Sequence, residues 1–218
     1  MQNMLYTEKN KKIKRLFRYM THAVQLIFFG LLCYALFNTN WTTVFVASQA
    51  IAISFIPHAL KYFFKIDTPR VFQLGIVSFM FATLILGETA RFYKMFWWWD
   101  TLLHVTAGIG LTIIAFVTLA LFFDKSTLKS TPLFTTMLAL SVTIFFAVLW
   151  EIYEFFIDLY FNPTNPLQPS NRDTMIDLIV GLLGAAVVGI FGYRFLKWQE
   201  GGVVKRLIED TVQRNKNN

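Results

Sequence analysis

The sequence predicts an all-α protein, a polytopic transmembrane bundle of six spans with its N- and C-termini in the cytoplasm. Three observations predict it. The 218-residue chain is 56% hydrophobic and only 15% charged, too apolar for an ordinary soluble domain. Its apolar residues, with 24 phenylalanines among them, gather into six continuous runs. Its basic residues collect in the tails and in alternate connections.

Taken in order, the runs cover residues 19–37, 41–60, 71–90, 101–123, 133–157 and 174–196. Each is long enough to cross about 30 Å of hydrocarbon as a helix. None shows the ten-residue alternation of a barrel strand. The first follows a basic stretch, as a signal peptide would, but it is longer than an h-region and no small-x-small cleavage site lies directly after it; it reads as a retained span. Cys33, the single cysteine, lies inside it and reads as a small hydrophobe, so no disulfide or thiolate site is expected. Asn38-Thr39-Asn40 turns the chain into the second run, Pro69 suits the first turn of the third, and Thr131-Pro132 precedes the fifth. Residues 162–170, NPTNPLQPS, form the longest polar connection. The resulting domains are a basic cytoplasmic tail over 1–18, a six-helix transmembrane domain over 19–196 and a polar, solvated cytoplasmic tail over 197–218.

The net charge of +7 does not indicate a nucleic-acid partner, because the charges flank spans. Lys9, Lys11, Lys12, Lys14, Arg15 and Arg18 precede the first span, Lys61, Lys65 and Arg70 lie between the second and third, and Lys125 and Lys129 between the fourth and fifth. Six more follow from Arg194 onward, which places 17 of the 20 basic residues on one side. Only Arg91, Lys94 and Arg172 fall on the other. By the positive-inside rule the rich side is cytoplasmic, which predicts a multi-pass protein of the cytoplasmic (inner) membrane. Trp41, Trp97, Trp98, Trp99 and Trp150 then fall near the outer interface as an aromatic belt.

Of the 13 acidic residues, seven are placed at the outer ends of spans three to six: Glu88, Asp100, Glu151, Glu154, Asp158, Asp173 and Asp177. His104 joins them. Asp100 and His104 share a helical face, as do Asp173 and Asp177, and Glu151, Glu154 and Asp158 form an i, i+3, i+7 stripe. His104 and Asp177 lie about 6 Å deeper than their partners. Carboxylates at that depth are costly unless they face a partner, a cation or water. Gly108 continues the Asp100–His104 face, and Gly181, Ala185 and Gly189 the Asp173–Asp177 face; such rows predict close packing of spans four and six.

Three chemistries fit the cluster. The first is a divalent metal site, with His104, Glu151, Glu154 and Asp177 as ligands and an open position for water or a lipid phosphate; Mg, Mn, Zn and Fe all suit such a set. His104, Glu151 and Asp177 are then the candidate catalytic groups, and Glu88, Asp100, Asp158 and Asp173 orient or gate the site. The second is metal-free acid–base chemistry or ion- or proton-coupled transport. Against a proton path, the inner halves of all six spans lack acidic residues. The third is a non-catalytic structural network, with Asp100 and Asp173 as helix N-caps and the other acids bonded to tyrosines, Arg91 or Arg172. His22 and His58 read as packed or interfacial histidines. No Gly-x-Ser-x-Gly elbow and no phosphate-cradling glycine loop occurs.

Gly87-Glu88 with Phe92-Tyr93, Trp99-Asp100-Thr101-Leu102-Leu103-His104, Trp150-Glu151 with Glu154-Phe155, and Asp173-Thr174-Met175-Ile176-Asp177-Leu178 follow one another in that order. Over residues 71–192 this pattern resembles the YjdF-like family of predicted bacterial inner-membrane proteins of unknown function. The same half is distantly similar to VanZ-like membrane proteins, which are associated with glycopeptide-antibiotic tolerance and envelope lipids. His104, Glu151, Arg172, Asp177 and Gly184 fall in the places of that pattern, with Gly181 where it has Asn. Neither resemblance supplies a reaction; together they imply an envelope-related role. With the outward-facing acidic pocket between spans three and six, the expectation is a protein with membrane lipids as partners that handles a lipid, a lipid-linked glycan or another envelope phosphate.

Overall fold

The computed structural model describes residues 2–125, 130–160, 167–199 and 202–216. Among them every regular element is helical, as the apolar runs require. The chain divides into two compact units, Met1–Phe92 and Tyr93–Asn218.

The first unit begins with α1 (Gln2–Phe37), a continuous helix of 36 residues and therefore about 54 Å long. Its basic first third, expected as a tail, is helical and runs directly into the first span. Asn38 and Thr39 turn the chain, and Asn40 caps α2 (Trp41–Ser54) by accepting from the Thr43 N–H. The second apolar run is not one straight helix. It breaks at Phe55 and resumes as α3 (Ile56–Phe64), bent by 44°. Pro57, in the first turn of α3, explains the break, since it lacks the N–H that a continuous helix would need there. Among the described residues five helices are long and apolar enough to cross a membrane, and six spans result when the bent pair is one of them.

The third span starts as α4 (Arg70–Phe81), with Pro69 at the N-cap and not within the first turn, and continues as a π-helix over Ala82–Thr89. The widened turns close with Ala90 N–H donating to the Ile85 carbonyl at 2.8 Å. The core of this unit is Phe28, fully buried among the small Ala47 and Ala50 of α2 and Met80 and Leu84 of the third span. At the bend, the buried Gln25 amide of α1 donates to the Ser54 carbonyl and hydroxyl at 3.4 and 3.3 Å. His22 Nδ1 lies 3.0 Å from Gln25 Oε1, and His58 packs on the Phe55 ring, so both histidines are packing or interfacial groups.

After α5 (Phe92–Met95), the second unit contains three long helices running up, down and up: α6 (Trp99–Lys125), α7 (Pro132–Tyr160) and α8 (Asn171–Trp198). The start of α6, the end of α7 and the start of α8 therefore share one end of the unit. Glycines set how tightly they pack. A Cβ on Gly108 would overlap the Gly181 carbonyl, one on Gly184 would overlap the Val105 carbonyl, and one on Gly192 would overlap the Phe116 ring. The predicted packing of spans four and six is thus present, but Gly184 and Gly192 share it with Gly181. Gly189 instead faces Leu140 of α7, at 3.2 Å from a Cβ placed there. Mid-helix, the buried hydroxyls of Thr112 and Thr143 join α6 to α7 at 2.9 Å.

The region expected as a solvated polar tail differs. Gln199, in the left-handed conformation, ends α8, and α9 (Val203–Lys216) packs against α6 and α8. Ile208, Thr211 and Asn215 are buried there, while Lys205–Glu209 and Arg214–Asp210 pair on the open face. An i, i+3, i+7 row within a polar segment is enough to dock one helix face.

Candidate functional site

The common end of α6, α7 and α8 brings together five of the seven acidic residues that the sequence places at one level, with His104 among them. Asp100 lies in the first turn of α6 and His104 one turn deeper. Glu151 and Glu154 come from the last third of α7, and Asp173 and Asp177 from the first two turns of α8. Single ligand atoms of Asp100, His104 and Asp177 lie within 4.8 Å of one another, and so do those of His104, Glu151 and Glu154. The imidazole stands between the two groups. Its Nε2 is 3.7 Å from Asp100 Oδ1 and its Nδ1 is 3.7 Å from Glu151 Oε1, each too long for a hydrogen bond.

Glu151 and Asp177 are the deepest acids, 5% and 4% exposed. Among the described residues Glu151 Oε1 is buried with no hydrogen-bond partner. Its other oxygen, Oε2, accepts from the Gln168 amide at 2.7 Å. Glu154 Oε1 accepts from Trp150 Nε1 at 2.9 Å, an i, i+4 contact on α7. Asp173 is half-buried, within electrostatic reach of Asp100 and His104. Among the described residues no Lys or Arg pairs with Asp100, Glu151, Glu154, Asp173 or Asp177. Five carboxylates and one imidazole thus converge with no Lys or Arg of the described residues paired to them.

Several expected roles change. Neither Asp100 nor Asp173 is a helix N-cap. Ser170 caps α8, its hydroxyl accepting from the Asp173 N–H at 3.2 Å, and Asp173 sits three residues inside the helix. Ser-x-x-Asp before an apolar run carries that signature. Arg172 is exposed; Trp150 donates to Glu154, Gln168 to Glu151, and the backbone amides of Leu167 and Gln168 to Asp158. Asp158 stands apart from the cluster, with one carboxylate oxygen accepting from Leu167 N–H at 2.6 Å and the other from Gln168 N–H at 2.8 Å. Glu88 lies in the first unit, exposed at the end of the π-helix, while Asp100, His104, Glu151, Glu154, Asp173 and Asp177 belong to the second. Gln168 is the residue that sequence reasoning missed. It sits in the polar connection 17 positions from its partner Glu151, where no local pattern points to it.

Fold and site together define a multi-pass helical membrane protein with a buried carboxylate–histidine cluster at one end of a three-helix unit. The chain belongs to the predicted membrane protein family DUF2238, which it matches over residues 20–198. That match takes in the first two spans, which the motifs quoted above do not reach. An uncharacterized protein of Thermotoga maritima is 29% identical over 140 residues, covering 64% of this chain and 71% of the relative. No solved structure matches.

Proposed function

We propose that this protein holds a divalent cation between His104, Glu151 and Glu154 and presents it to the phosphate of an envelope lipid or lipid-linked glycan. The observation that carries the reading is Glu151 Oε1, a buried carboxylate oxygen with no hydrogen bond, 3.7 Å from an imidazole nitrogen. Two ligands bound at about 2.1 Å in tetrahedral geometry stand about 3.4 Å apart, so this pair suits an ion between them better than a direct bond. Glu154 supplies a third ligand atom within the same 4.8 Å. A neutral imidazole offers one lone pair, so His104 binds through Nδ1 and turns Nε2–H toward Asp100. Asp177, whose ligand atom lies within 4.8 Å of those of His104 and Asp100, suits a water at the open position. One imidazole with hard oxygens fits Mg, Mn, Zn or Fe.

Charge placement supports the remaining parts of the reading. By the positive-inside rule the site end faces away from the cytoplasm, in a cytoplasmic membrane with both termini inside. A phosphate reaching it from that side belongs to the envelope, in keeping with the YjdF-like resemblance and, more remotely, the VanZ-like one. A structural network is the second reading, favoured by the Gln168 and Trp150 hydrogen bonds.

Elemental analysis of the detergent-purified protein beside His104→Ala and Glu151→Gln tests the proposal. Near-stoichiometric metal that both substitutions remove is expected, together with stability that a chelator lowers. No metal in the wild type, and no response of its melting to Mg, Mn, Zn or chelator, would sink the cation.

A further inference from the structure

Leu167 and Gln168, shortly before α8, are tied to α7 by two linked sets of hydrogen bonds. The Asp158 carboxylate takes one backbone N–H on each oxygen, from Leu167 at 2.6 Å and Gln168 at 2.8 Å. This two-point clamp fixes the returning chain against the end of α7. With its backbone held, Gln168 directs its side-chain nitrogen to Glu151 at two places, the carbonyl oxygen at 2.9 Å and Oε2 at 2.7 Å. A primary amide has two N–H donors, so both are engaged by one residue. The terminal torsion of a glutamate is otherwise soft, and nothing intrinsic fixes the plane of its carboxylate. Holding Oε2 sets that plane and leaves Oε1 facing His104.

We infer that Gln168 is a positioning residue for the cation, with Asp158 acting through it. The clamp occupies one oxygen of Glu151 and so offers the ion a single, aimed ligand atom. This inference rests on the cation reading above. Outer partners of metal-binding carboxylates typically change metal affinity ten- to a hundredfold when lost. A loop that merely tied α7 to α8 would change stability and leave affinity alone.

The test uses the full chain in detergent, titrated calorimetrically with Mn²⁺ and Zn²⁺, with melting measured on the metal-free protein. Gln168→Met keeps the length of the side chain and removes both donors. Asp158→Asn keeps the shape of the clamp and weakens it, so it serves also if Gln168→Met fails to fold. Each is expected to raise the Kd for the tighter ion roughly ten- to a hundredfold; metal-free melting falls as well, because the buried Glu151 loses the Gln168 donor, so the loss of affinity is the readout that marks positioning. Because both act on Glu151 along one path, the double variant should bind no more weakly than the worse single one. Wild-type affinity in Gln168→Met, or losses that multiply in the double variant, would overturn the positioning role while leaving the cation in place. A wild type that binds neither ion would overturn the cation reading and this inference with it.

Discussion

Gly108 of α6 and Gly181 of α8 meet backbone to backbone, so close that a Cβ on Gly108 would overlap the Gly181 carbonyl oxygen. His104 and Asp177 lie one turn toward the site from these two glycines. The glycine contact therefore sets the spacing of helices that carry opposite walls of the cluster.

Gly108→Ala is expected to force α6 and α8 apart, at the cost of about 1–3 kcal/mol typical of overpacking. The neighbouring Gly110 provides the control, since a Cβ there meets nothing within 4 Å. Gly110→Ala should stay within about 0.5 kcal/mol of the wild type, or gain slightly from the better helix former. Thermal unfolding of the two variants in the same detergent checks this. Equal melting temperatures would mean that the backbone contact does not limit the packing.

Glu151→Gln separates function from structure through the sign of its effect. A buried carboxylate near other acids, with one oxygen unpaired, is a cost to the metal-free protein. A neutral amide of the same shape removes that cost, so metal-free melting should hold or rise while bound metal is lost. Sites kept for function commonly trade stability in this way. A structural network predicts the reverse, a fall in melting temperature with no separate defect.

Much of this was legible in the sequence where helix periodicity alone decides the outcome. Asp100 with His104, Asp173 with Asp177, and Glu151 with Glu154 share faces because a helix repeats about every 3.6 residues. Depth followed from counting along the spans. What tertiary contact decides was not legible. Gln168 meets Glu151 only because the loop folds back, and the docking of Ile208, Thr211 and Asn215 depends on α6 and α8 being there to receive them. Gly184 and Gly192 were hidden because the glycines of α8 face two different neighbours. Two structural features do have local sequence signals: Pro57 within the second apolar run, which breaks the helix, and Ser170 three residues before Asp173, which caps α8.

The Thr112–Thr143 hydrogen bond should contribute modestly. Each hydroxyl also has a carbonyl four residues earlier within reach, Gly108 at 2.7 Å and Ala139 at 3.0 Å. Losing the partner therefore leaves neither hydroxyl unsatisfied. Interhelical hydrogen bonds in membrane proteins average about 0.6 kcal/mol in double-mutant cycles. Thr112→Val, Thr143→Val and the double variant should give a coupling of about that size by chemical or thermal unfolding. A coupling above about 2 kcal/mol would show that the pair does more than join two helices.

Gln25 should matter because the helix break leaves a carbonyl that it serves. In a regular helix the Ser54 carbonyl would accept from the His58 N–H, but that N–H donates to Phe55 at 2.9 Å. The Gln25 amide takes its place, and Gln25 itself is 4% exposed. Gln25→Leu keeps the volume and removes the donor, so it should cost about 1–3 kcal/mol, the range for a buried acceptor left unpaired. Pro57→Ala restores the missing N–H and lets the helix run through, returning His58 to Ser54. The cost of Gln25→Leu should then shrink in the Pro57→Ala background. Unfolding measurements on the four proteins give the answer. An equal cost in both backgrounds would show that Gln25 stabilises the unit through packing or His22, and not through the carbonyl at the bend.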